Sequence, residues 1–159
     1  MWVRKFCKGG TMKKLLVLHG INLNMFGKRD PSQYGSMTLP EIDDEIRALA
    51  PELGLEVECF QTNHEGEMAH RIHEAHGDGT DAVLINAGAW THYSYGIADA
   101  LAILEIPVVE VHMSHVHGRE EFRHRSVFSS VVKGVVSGFG VSSYLLGLRA
   151  AAGLIKDRN

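Results

Sequence analysis

Five short apolar runs punctuate the chain, at Leu15–Leu18, Leu55–Phe60, Ala82–Ile85, Val108–Val111 and Val131–Val136, each of strand length. β-Branched residues dominate the last two, which suits a pleated, buried surface. Between these runs the apolar spacing changes to three and four. Leu39, Ile42, Ile46, Leu49 and Leu53 share one helical face. They follow Thr38-Leu-Pro-Glu41, a capping box with proline in the first turn, and Gly54 is placed to end the helix. A second helix is expected from near Asn63, with Met68, Ile72 and Ala75 inward. A third begins near Ser94 and carries Ala98, Leu101 and Leu104. The last spans about Ser143 to Ile155, with Leu145, Leu148 and Leu154 on its apolar side. Strands alternating with helices through short connections predict a parallel sheet covered on both faces, a doubly wound α/β domain.

The 159 residues fit one such domain, read as residues 14–159, behind a basic tail at 1–13 that is expected to be poorly ordered. Met12 is an alternative start. A net charge of −3 and the lack of a basic stripe argue against a nucleic-acid partner. No apolar run approaches the roughly 20 residues of a membrane span, and Leu15–Leu18 is too short for a signal peptide. Cys7 and Cys59 make neither a disulfide framework nor a zinc spacing, so a reducing cytoplasm is the expected setting.

The chemistry gathers where strands end. The segment Pro107 to Arg123 starts as a buried strand and runs into a dense polar cluster. Glu110, His112 and Ser114 stand two residues apart, so a pleated backbone aims all three the same way. A carboxylate and an imidazole inside a sheet are costly without partners. Other strands lead into His19-Gly-Ile-Asn-Leu-Asn24, Gln61-Thr-Asn-His-Glu-Gly66 and Asn86-Ala-Gly-Ala-Trp-Thr-His92. In a parallel sheet these ends share one edge, so Asn22, Arg29, Tyr34, Asn86, His92, His112 and Arg123 can converge there. Turn-forming and capping roles account for many of the Asn and Gly residues, but not for Arg, Tyr and two His in one crevice.

The connection Gly20–Gly35, about 15 residues long, reads as an active-site cover bringing Arg29 and Tyr34. A cation beside a tyrosine favours its phenolate, a general base. There is no phosphate-cradling glycine pattern, so no nucleotide cofactor is expected, and no Gly-x-Ser-x-Gly elbow for acyl transfer. His70, His73 and His76 sweep around a helix and read as solvated. His112, His115 and His117 lack a convergent further ligand, so no metal is expected. Cys59 reads as a core strand residue.

Together these strings resemble type II 3-dehydroquinate dehydratases: Leu16-Val-Leu-His-Gly-Ile-Asn-Leu-Asn24, Gly27-Lys-Arg-Asp-Pro-Ser-Gln-Tyr-Gly35, Asn63-His-Glu-Gly-Glu67, Asn86 to His92, Val109-Glu-Val-His-Met-Ser114 and Arg119-Glu-Glu-Phe-Arg-His124. The likeness covers about Lys14 to Ala151. It implies a flavodoxin-like five-stranded parallel sheet, a dodecamer built of trimers, and conversion of 3-dehydroquinate to 3-dehydroshikimate without metal or cofactor. It covers both shikimate biosynthesis and quinate breakdown. By position, Tyr34 is implied as the base at C2, Arg29 as its activator, Asn22 as holder of an enolate-stabilising water, and His112 as the general acid tuned by Glu110. Asn86, His92 and Arg123 would bind ring hydroxyls, Ser114 and the Met113 backbone the carboxylate. Asp99 would be lent by a neighbouring subunit. Ile21, His115 and Ala98 depart from the family's usual proline, asparagine and arginine. The rival readings are a flavodoxin-like ligand-binding or regulatory protein without turnover, and a His-rich metalloprotein.

Overall fold

A computed structural model describes residues 10–158. The expectation of a poorly ordered tail falls largely on residues 1–9, outside the described residues. Five parallel strands form one sheet: β1 (Lys13–His19), β2 (Leu55–Gln61), β3 (Ala82–Asn86), β4 (Val108–His112) and β5 (Gly134–Ser137). Their order is β2-β1-β3-β4-β5, the expected flavodoxin-like doubly wound arrangement. The helices are α1 (Pro31–Tyr34), α2 (Leu39–Leu49), α3 (Glu65–Ala75), α4 (Tyr95–Ala102) and α5 (Val141–Lys156). α2 and α5 bury one face of the sheet, through Ile42, Ile46, Tyr144 and Leu148 against Leu15, Val17, Leu84 and Val111. α3 and α4 bury the other, through Met68, Ile72, Ile97 and Leu101 against Leu16, Leu18, Val83 and Ile85. Alternation along each strand therefore feeds two cores, and no described helix is long and apolar enough to cross a membrane.

The capping box at Thr38 forms as expected. The Thr38 N–H donates to the Glu41 carboxylate at 2.8 Å, and Gly54 closes the following turn in the left-handed region at φ 74°. One expectation needs correction, and two gain detail. The fifth strand begins at Gly134, because Val131 and Val132 turn back to donate their N–H groups to the Phe128 carbonyl. The Gly20–Gly35 connection contains α1 and a 3₁₀ turn at Leu23–Met25. The buried face of α5 is Tyr144, Gly147, Leu148, Ala151, Ala152 and Ile155, while Leu145 and Leu154 lie at its margins. Small residues win that face because the helix lies close to the sheet. A Cβ on Gly147 would stand 2.6 Å from Val111 Cγ2 and 2.7 Å from Leu84 Cδ1.

Candidate active site

The C-terminal ends of β1, β3 and β4 meet at a cleft of about 610 Å³, counted with its open mouth. Its lining includes Asn22, Arg29, Tyr34, Asn86, His92, His112, Met113, Ser114, Arg119 and Arg123. The floor depends on two close backbone approaches. A Cβ on Gly20 would lie 2.3 Å from the Ala87 carbonyl oxygen, and one on Gly88 2.7 Å from that of Ile21. Only glycine lets the first and third loops pack so tightly. Asn22 sits in the left-handed region at φ 67°, the single non-glycine residue with positive φ among those described. Its N–H donates to Asn63 Oδ1 at 2.8 Å, and Asn63 Nδ2 in turn donates to Asn24 Oδ1.

Tyr34 enters from α1, whose first turn is capped by Asp30 accepting from the Ser32 N–H at 2.9 Å. Its ring leans on Phe26, with centroids 5.8 Å apart. The Tyr34 hydroxyl oxygen accepts from Arg29 Nη2 at 3.1 Å and from Arg119 Nη1 at 2.8 Å. Both guanidiniums also lie over the ring, at 4.1 and 5.2 Å from its centroid. Arg119 was not singled out from the sequence. Its signal is its place at the head of Arg119-Glu-Glu-Phe-Arg123, spaced to send two cations from one loop. It also donates to Ser114 Oγ at 3.0 Å, which ties the Tyr34 oxygen to the end of β4.

Opposite stands the pair foreseen from the pleat. Glu110 and His112 are both buried, and His112 Nε2 donates to Glu110 Oε1 at 2.6 Å. The other carboxylate oxygen accepts from Ser126 Oγ at 2.8 Å, so the buried charge is well partnered. The Glu110 bond fixes the His112 ring and leaves Nδ1 as its uncommitted nitrogen. His92 stacks on His112 at 6.3 Å between centroids and donates from Nδ1 to the Arg125 carbonyl at 2.8 Å. Arg123 is held by Glu120 at 2.8 Å. Asn86 Nδ2 donates to the Tyr144 hydroxyl at 2.9 Å. Asp99 is exposed on α4 and does not line its own chain's cleft. His115 is exposed and outside the cleft lining.

His92 yields a pH prediction. Burial, together with the positive charges of His112 and Arg123, outweighs the Arg125 carbonyl and Glu110 and holds its protonation below the ordinary 6.5. The folded protein therefore prefers the neutral ring more strongly than the unfolded chain does. The resulting stability is complete above pH ~6.5 and is lost as pH falls toward the lower folded value. An NMR titration should show His92 gaining its proton below that point. A midpoint at or above it would contradict the assignment.

His70, His73 and His76 are exposed, as expected. Among the described residues, one set of potential metal ligands comes together, His19, Asp43 and Cys59, with ligand atoms within 4.8 Å. It is already closed on itself. His19 Nε2 lies 2.8 Å from Asp43 Oδ1, and burial beside that carboxylate pushes the Cys59 thiol up to about 12.

Known proteins resemble this chain over most of its length. A model of the family described as dehydroquinase class II matches residues 13–152. The 3-dehydroquinate dehydratase of Syntrophotalea carbinolica is 72% identical over 148 residues, covering 93% of this chain and all of that one. That of Pelobacter propionicus is 66% identical over 144 residues, covering 91% and 97%. The crystal structure of the type II dehydroquinase from Butyrivibrio crossotus superposes with a TM-score of 0.87 at 43% identity, over 89% of this chain and 99% of that one. With the sheet order, the cleft and these likenesses in agreement, the chain belongs to the class II dehydroquinase family.

Proposed function

We propose that the cleft removes water from 3-dehydroquinate to give 3-dehydroshikimate, a hydro-lyase reaction passing through an enolate. The observation that carries this is the Tyr34 oxygen held by two guanidiniums, in one cleft with the Glu110-bound His112. Abstracting a proton beside a ketone needs a base whose negative charge is tolerated. Arg29 and Arg119 supply two charge-assisted donors to that oxygen. Tyr34 takes the C2 proton, and the electron pair moves onto the ketone oxygen. Asn22 holds a water that stabilises that oxygen. The enolate then collapses with loss of the C1 hydroxyl, which leaves as water with a proton from His112. The Glu110 carboxylate keeps the His112 ring oriented and balances the charge of its doubly protonated form. Asn86, His92 and Arg123 bind ring hydroxyls, and Ser114 with the Met113 backbone receives the carboxylate. None of these steps calls for a metal or an organic cofactor.

The proposal extends to assembly. Asp99 completes a neighbouring subunit's cleft in a dodecamer of trimers. Its exposure on α4, beside the outward-facing Tyr93, Tyr95 and Ile103, supports a covered surface there. The test of function is direct. Purified protein mixed with 3-dehydroquinate should generate the conjugated enone absorbance of the product. Saturable binding without that absorbance would instead identify a ligand-binding protein on a catalytic scaffold.

A further inference from the structure

Beneath the cleft a line of buried polar groups runs from Asn86 through Tyr144 and His19 to Asp43. His19 and Asn86 are paired neighbours at the ends of β1 and β3. Tyr144 comes from α5 and Asp43 from α2. His19 and Tyr144 are fully buried, Asn86 nearly so, and Asp43 is partly exposed. The contacts are Asn86 Nδ2 to Tyr144 Oη at 2.9 Å, Tyr144 Oη to His19 Nδ1 at 3.0 Å, and His19 Nε2 to Asp43 Oδ1 at 2.8 Å.

The direction of every hydrogen in this line follows from donor and acceptor counting. The Gly88 backbone N–H can only donate, and it donates to Asn86 Oδ1 at 3.2 Å. The Asn86 amide nitrogen therefore faces Tyr144, and the Tyr144 oxygen accepts from it. With His19 neutral, the single hydroxyl hydrogen of Tyr144 then points at its bare Nδ1. His19 carries its hydrogen on Nε2, aimed at Asp43. Asp43 suits that end. Burial raises its carboxyl, but the hydrogen bonds from His19 and Cys59 and the Arg47 charge act against burial, and the carboxyl lies below the usual range. Burial likewise keeps the Tyr144 hydroxyl protonated.

We propose that Asp43, His19 and Tyr144 are positioning residues that lock the Asn86 amide with its nitrogen turned to the helix side, leaving its second N–H as a fixed donor to a ligand oxygen in the cleft. The inverted amide would set its oxygen against a hydroxyl whose hydrogen is already spent and its nitrogen against the Gly88 N–H. Both contacts would then be lost at once. The cleft thus presents a fixed donor at this point, suited to a ligand oxygen that accepts, such as that of a ring hydroxyl. This inference rests on the proposed dehydration only for its kinetic test.

Two measurements test it. In protein labelled with ¹⁵N-histidine, the His19 signal, identified by its loss in His19→Gln, should show a protonated Nε2 and a bare Nδ1. The reverse tautomer would overturn the chain of donors. In kinetics, Tyr144→Phe should raise KM about tenfold, as expected for one lost buried hydrogen bond, with kcat changed less than about threefold. The same substitution in an Asn86→Ala background should add nothing, because its effect passes through that amide. Equal losses in both backgrounds would show a merely structural role. Should Tyr144→Phe not fold, Asp43→Ala at the partly exposed end carries the same cycle. If the wild type does not dehydrate 3-dehydroquinate, the functional reading falls while the tautomer still decides this one.

Discussion

Tyr34→Phe should lower kcat for 3-dehydroquinate dehydration by about 10³-fold, within the range general-base catalysis commands, and leave KM within a few-fold. The substitution removes one oxygen and little else. The ring keeps its contact with Phe26 and its place under the Arg29 guanidinium, so the loop has no packing reason to move. What disappears is the atom on which Arg29 and Arg119 converge at 3.1 and 2.8 Å. Steady-state kinetics with a melting curve separates the cases. A kcat within tenfold of wild type would remove Tyr34 from the role of base.

His112→Ala should lower kcat by about 10²-fold or more if His112 is the proton donor to the departing hydroxyl. It should also lower the melting temperature. Glu110 is 1% exposed and would keep Ser126 but lose its imidazole partner, a buried polar loss of about 1–3 kcal/mol. The two effects come apart in His112→Gln. A glutamine amide can donate to Glu110 and restore stability, yet it has no proton to pass to a leaving group. Recovery of both melting temperature and rate in that variant would refute the acid role.

Much of the cleft was legible from the chain because the residues that build it are expensive where they stand. Glu110 and His112 interrupt a valine-rich strand at the two-residue spacing of a pleat, and the fold brings them to 2.6 Å. Asn22, Asn86 and His92 follow apolar runs directly, so the parallel sheet delivers them to one edge. What stayed hidden depends on distances between elements. Arg119 and Arg123 look equivalent in sequence, and only the path of the loop sends Arg119 to Tyr34. Tyr144 and His19 carry no signal, since a buried tyrosine and a histidine after a strand are ordinary core residues until helix and sheet are packed together. The α5 face was legible only in part for a related reason. Leucine spacing marks apolar residues, whereas tight helix–sheet approach selects Gly147, Ala151 and Ala152.

The bond between Arg119 and Tyr34 joins positions 85 residues apart. Arg29, five residues from Tyr34, travels with it on the same loop and can stay bonded wherever that segment goes. Arg119 is anchored by Ser114 to the rigid sheet and cannot follow. Two donors meet on the Tyr34 oxygen because the Gly20–Gly35 connection rests against the loop that carries Arg119; under the proposed base role, the seating of that connection therefore sets how many cations a phenolate there would face.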